Sequence, residues 1–179
     1  MRKQNGQLKN FILSAVLLAM GIVLPLFAMQ VKEIGDTLLP MHLPVMLCGL
    51  VCGWPYGLLV GTLLPFLRSV CFGMPPLYPN AVWMAAELAA YGFVIGLIYH
   101  HLGRRTLRSV YISLLAAMFS GRIVWGIAKG FLLGLGGKTF TFYMFLLGGF
   151  VDAIPGIILQ LVLIPAVMSI VHKKGVTQK

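Results

Sequence analysis

The chain is a succession of long apolar runs divided by short polar breaks. The runs fall at roughly 10–30, 38–54, 56–72, 81–101, 109–131 and 143–171. A helix needs about twenty apolar residues to cross a ~30 Å hydrocarbon core, and four of the runs meet that easily. The second contains Pro40 and Pro44, and only VMLCGLVCG reads cleanly as helix, so a re-entrant segment competes with a crossing there. The first run follows a basic stretch, as a signal peptide's would. It is long for a signal sequence, however, and no small-x-small cleavage site follows it, so it predicts a retained first helix.

Charge decides the number of crossings. Basic residues cluster at Arg2, Lys3 and Lys9, at Arg104, Arg105 and Arg108, and at Lys173, Lys174 and Lys179. The positive-inside rule puts all three clusters in the cytoplasm. An even number of crossings must then separate the first two, so the second run has to cross. The expectation is an all-α integral membrane protein. It forms one domain over residues 1–179, with six transmembrane helices and both termini cytoplasmic. Outer loops fall at roughly 31–40, 73–80 and 132–142.

Composition agrees. The chain is 59% hydrophobic and only 10% charged, against roughly 25% charged in soluble domains. The net charge of +10 lies mostly in loops and tails. That reads as topology signals facing anionic lipid, not as a nucleic-acid surface. Cys48 and Cys52 are separated by three residues and no second pair exists, so they read as small packing residues rather than a zinc site. Glycines recur at four-residue spacing in three places: Gly57 and Gly61, Gly92 and Gly96, and Gly126, Gly130 and Gly134. Such spacing lets helix backbones approach closely. No internal repeat supports an inverted-repeat transporter.

On this topology the intramembrane charges converge. His42 starts helix two, Arg68 lies near the outer end of helix three, and Glu87 lies about two turns into helix four. Arg122 is some fourteen residues up helix five, about 20 Å at 1.5 Å per residue, and Lys129 is higher still. Asp152 lies a few turns below the outer start of helix six. Charges in a membrane are costly, from about 2.5 kcal/mol upward, so their gathering in the outer half predicts a water-accessible cavity. A structural ion-pair network is the competing reading, with Arg122 joined to Glu87 or Asp152. Three cations face two acids, which leaves one cation for an anionic group of a substrate. Arg122 is expected to be the central cation, in a pocket built around Arg68, Glu87, Arg122 and Asp152, with Trp125 also assigned to it. The segment FGMPPLYPN is stiffened by Pro75, Pro76 and Pro79. It predicts a lid carrying Met74, Leu77, Tyr78 and nearby Trp83, although Tyr78 and Trp83 also fit interfacial anchors. On helix one, Ala15 and Ala19 form a stripe of small residues.

These features together resemble the substrate-binding S component of an energy-coupling factor (ECF) vitamin importer. The resemblance spans nearly the whole chain. It is carried by the six-helix layout, the Ala15-x-x-x-Ala19 stripe, and the segments MHLPVMLCGLVCGWPYGLLVG, FGMPPLYPNAVWMAAELAAYG and GRIVWG…DAIPGIILQLVLIPAV. It implies a prokaryotic plasma-membrane protein that captures a substrate outside, then topples to release it inside. The partners implied are a transmembrane coupling subunit, contacted through Ala15 and Ala19, and two cytoplasmic ATPases. No GxxxxGK[ST] motif occurs, so ATP is used by partners, and no cofactor is expected in this chain. The substrate stays open among pantothenate-, cobalamin- and nucleobase-like molecules. A membrane-embedded enzyme using Glu87, Asp152 and His42 is a rival, but HExxH, paired-histidine and GxSxG motifs are missing. His100 and His101 read as helix-end residues. A ligand-free scaffold subunit is the second rival.

Overall fold

The computed structural model describes residues 2–28, 40–103, 106–137 and 139–173, and every regular element among them is helical. The helices are α1 (Arg2–Ala28), α2 (His42–Cys52), α3 (Trp54–Phe72), α4 (Val82–His101), α5 (Leu107–Leu135), α6 (Phe142–Leu146) and α7 (Ile154–Lys173). Single π-helical turns, Leu77–Ala81 and Leu147–Val151, precede α4 and follow α6. Among the described residues, five segments are long and apolar enough to cross a membrane: Gly6–Leu26, Trp54–Phe72, Leu77–His101, Leu107–Leu135 and Ile154–Lys173.

The second run behaves differently from a lipid-facing crossing. Its helix, α2, has 11 residues, about 17 Å of rise. Nine of the 11 are buried, so α2 is a core element wrapped by its neighbours. It ends at Gly53, whose φ of 99° and ψ of 168° suit glycine alone. The chain reverses there directly into α3. Although short, α2 starts beside a cavity and ends at the opposite pole of the bundle.

That opposite pole is defined by contacts. Asn10 Nδ2 donates to Cys52 O at 3.3 Å, and Tyr56 Oη donates to Gln7 O at 3.4 Å. Tyr99 Oη lies 2.6 Å from His172 Nε2. The start of α1, the α2–α3 turn, and the ends of α4 and α7 therefore meet at one end. Lys9, Arg108 and Lys173 belong to the same end by chain position. Arg104, Arg105, Lys174 and Lys179 of the basic clusters lie outside the described residues. At the end of α4, His100 Nδ1 is 2.8 Å from Gly96 O. Thr106 caps α5 by accepting from Ser109 N.

Two of the glycine sets work as the spacing predicts. A Cβ on Gly57 would lie 2.5 Å from Gly92 O, and one on Gly61 would lie 2.3 Å from Leu88 O. A Cβ on Gly96 would meet the Trp54 backbone at 2.6 Å. Antiparallel α3 and α4 thus touch backbone to backbone. The third set differs. Gly126 and Gly130 make room for the rings of Phe145 and Phe140, and Gly134 faces open space.

Helix α5 shows how the bundle is turned in a lipid solvent. Tyr111, Leu115, Phe119, Ile123, Ile127, Phe131 and Leu135 recur every four residues and are all exposed. Ser113, Arg122 and Trp125 face inward with Leu114 and Ala117. The purely apolar stripe is the outer one, which suits hydrocarbon. On α1, Ala15 and Ala19 are exposed, whereas Ser14, Gly21 and Pro25 are buried. The alanine stripe is therefore not internal packing of this chain.

Candidate functional site

At the end away from the basic cluster, a cavity of about 470 Å³ opens between α2, α3, α4 and α5. Each helix brings a buried charged or titratable side chain to its wall. His42 comes from the start of α2, Arg68 from the last turns of α3, Glu87 from the second turn of α4, and Arg122 from α5. All four are 2–4% exposed.

The floor of the site is an ion pair. Arg122 Nη1 donates to Glu87 Oε1 at 2.9 Å. His42 Nε2 lies 3.5 Å from the same oxygen, within ion-pair reach but without hydrogen-bond geometry. The His42 ring is set edge-on to Tyr91, centroids 5.1 Å apart. Tyr91 fits there because residue 121, next to Arg122, is glycine; a Cβ would sit 2.7 Å from the Tyr91 ring. The pair leaves polar atoms over. Arg122 Nε and Nη2 and both His42 ring nitrogens are buried without a hydrogen-bond partner. Native proteins rarely leave such groups unmatched, and a ligand is one way to match them.

Arg68 organises the mouth. Its Nε donates to Met74 O at 3.3 Å and its Nη1 to Ile22 O at 3.4 Å. It thereby ties the loop after α3 to both α3 and α1. Gly73 turns that loop with φ 68°, a left-handed cap that favours glycine. Met74, Pro75, Pro76 and Asn80 then line the cavity, with Trp83 and Met84 at the start of α4. The Met74–Pro75 and Tyr78–Pro79 peptides are cis.

Two residues expected in the pocket are elsewhere. Tyr78 is 62% exposed and outside the cavity wall, as is Leu77. The loop folds back in a π turn closed by Ala81 N donating to Pro76 O, and Tyr78 stands extended at its apex (φ −126°, ψ 133°). Asp152 is also exposed and absent from the wall. The reason is that the sixth apolar run is not one helix. It breaks at a turn over residues 152–153, and Asp152 sits just ahead of α7, where a carboxylate is favoured by the helix dipole.

Lys129, one of the three intramembrane cations but not among the expected pocket residues, lines the cavity. Its Nζ lies 4.5 Å from the Trp125 ring centroid, 5.5 Å from Trp83 and 5.7 Å from Phe140, all at cation–π distance. Trp125 is seated against Gly148 and Gly149 of the second π turn, where a Cβ would come 3.1 and 3.4 Å from the indole. The Trp125–Lys129 half of this arrangement was visible as an i, i+4 pair on a helix. Among the described residues no group of histidines, cysteines and acids could hold a metal ion.

The structure is an all-helical bundle with membrane-length apolar helices, a polar cavity at one end and a basic opposite end. The chain belongs to the ECF transporter substrate-specific component family, whose model matches residues 9–168. That is a family of transporter binding subunits, not of enzymes. No curated protein and no solved structure matches the chain.

Proposed function

We propose that this chain is the substrate-capturing subunit of an ECF-type importer for a water-soluble vitamin or cofactor precursor. The observation that carries the reading is the cavity itself: four helices bring buried polar side chains to one wall, and four nitrogens on two of them, His42 and Arg122, have no hydrogen-bond partner. The basic end is cytoplasmic on this reading, by the positive-inside rule. Both termini are then inside, the chain crosses six times with α2 as a short inner crossing, and the cavity faces out. A coupling subunit and two ATPases supply transport, and Ala15 and Ala19 are the docking stripe. The exposure of that stripe supports this.

Size narrows the substrate. Pockets for drug-sized ligands run from about 300 to 1,000 Å³. At about 470 Å³ the cavity suits a pantothenate- or nucleobase-like molecule and disfavours a corrin. The test is the mass of the small molecule released from the chain purified alone, together with its effect on thermal stability when added back. One stoichiometric compound of a few hundred daltons that raises the melting midpoint is expected. A chain that binds and releases nothing fits the scaffold reading instead.

A further inference from the structure

We infer that the cavity has two chemically distinct poles, and that Lys129, not Arg122, receives the anionic group of the substrate. The inference rests on the binding-subunit reading and names the ligand class for that site.

The argument starts from charge. Among the described residues the cavity wall carries three cations, Arg68, Arg122 and Lys129, and a single carboxylate, Glu87. The three cations are not equivalent. Arg122 is neutralised by Glu87 at 2.9 Å. Arg68 is buried and donates to the carbonyls of Met74 and Ile22. Lys129 has no carboxylate within 4 Å among the described residues. Its ammonium rests on the faces of Trp125, Trp83 and Phe140, and Glu87 and Asp152 act on it only from beyond ion-pair distance. Aromatic faces attract a cation but do not neutralise it. An ammonium half-buried in this way, in the wall of a cavity, is matched by a carboxylate or phosphate.

The deep pole asks for something else. The Glu87–Arg122 pair is neutral as a unit, yet Arg122 Nε and Nη2 and the His42 nitrogens lack partners. These atoms suit an uncharged, acceptor-rich group such as an amide, a ring carbonyl or a hydroxyl. Arg122 and Lys129 are seven residues apart, close to two helical turns, so they share a face about 10 Å apart along α5. Trp125 lies between them on that face. The ligand class is therefore an elongated small molecule with an uncharged hydrogen-bonding head, placed deep, and a carboxylate or phosphate near the mouth.

The test uses matched anionic and neutral probes: pantothenate with panthenol, nicotinate with nicotinamide, pyridoxine 5′-phosphate with pyridoxine, and orotate with uracil. Each is titrated into the detergent-solubilised full chain without added lipid. Melting midpoint and tryptophan emission are recorded for wild type, Lys129→Gln and Lys129→Arg. Emission reports on Lys129 leaving the indoles of Trp83 and Trp125, which a merely structural effect would not move. In at least one pair the anion is expected to bind wild type about tenfold or more tighter than its neutral partner, the order of one charge-assisted hydrogen bond. Lys129→Gln should remove that preference and Lys129→Arg should keep most of it. Equal binding of both members, or an anion preference intact in Lys129→Gln, overturns the inference. So does a response to phosphatidylglycerol alone, which would mark a lipid phosphate site. No response to any pair also counts against the anionic class. The mass of the compound released from the wild-type chain then judges the binding-subunit reading separately.

Discussion

Glu87→Ala is expected to lower the stability of the ligand-free protein by about 3–5 kcal/mol, the range for removing one partner of a buried ion pair. Glu87 is 3% exposed and, among the described residues, is the only carboxylate lining the cavity. Without it, Arg122 is left buried and unpaired, in a wall that also carries Arg68 and Lys129. Arg122→Ala should cost less. Glu87 keeps a second neighbour, His42 Nε2 at 3.5 Å, whereas Arg122 has no other carboxylate partner among the described residues. The double variant Glu87→Leu/Arg122→Met should recover much of the loss, because the pair then disappears together with its desolvation cost. Thermal unfolding of the four proteins in one detergent measures this. Single variants within about 0.5 kcal/mol of wild type, the range of ordinary surface changes, would mean that the pair does not hold the fold.

Ala15→Trp and Ala19→Trp are expected to abolish transport and leave binding intact. Both alanines are exposed on α1 and face away from the other helices. An indole there costs the isolated chain little. A partner helix that packs through small residues would be held off by several ångströms. With the coupling subunit and ATPases present, uptake should fall by more than about tenfold, equivalent to losing about 1.4 kcal/mol of docking. Substrate affinity of the isolated variants should stay within about twofold of wild type, well inside that 1.4 kcal/mol. If both variants transport normally, the stripe faces lipid and the coupling subunit docks elsewhere.

Much of this architecture can be read from the chain, because a membrane makes the pattern simple. Apolar runs mark the long helices, and the glycine spacing marks the α3–α4 seam, where Gly57 meets Gly92. The cost of intramembrane charge is what marks His42, Arg68, Glu87 and Arg122, and all four line the cavity with Met74, Trp83 and Trp125. The misplacements have local causes. Hydropathy does not see a backbone break inside an apolar run, so the run at 143–171 predicts one helix that carries Asp152 into the pocket, where the structure has a turn over residues 152–153. The prolines mark the loop that carries Tyr78, but the backbone turn over Leu77–Ala81 decides which of its side chains point inward. The cage around Lys129 draws Trp83 from α4 and Phe140 from beyond α5, and no spacing rule joins residues so far apart in sequence. The sequence leaves Arg122 open between a substrate contact and a pair with Glu87 or Asp152, because the choice of Glu87, 35 residues away, is a matter of tertiary geometry.

The central claim is that this chain captures a solute and depends on partners to move it. The most direct measurement is uptake of the co-purifying compound into ATP-loaded proteoliposomes, containing either the chain alone or the chain with a coupling subunit and two ATPases. The chain carries no GxxxxGK[ST] motif. It should therefore bind the compound without concentrating it when alone, and the complete assembly should concentrate it only with ATP inside. Uphill uptake by the chain alone, or equal uptake with and without ATP in the assembly, would contradict the account.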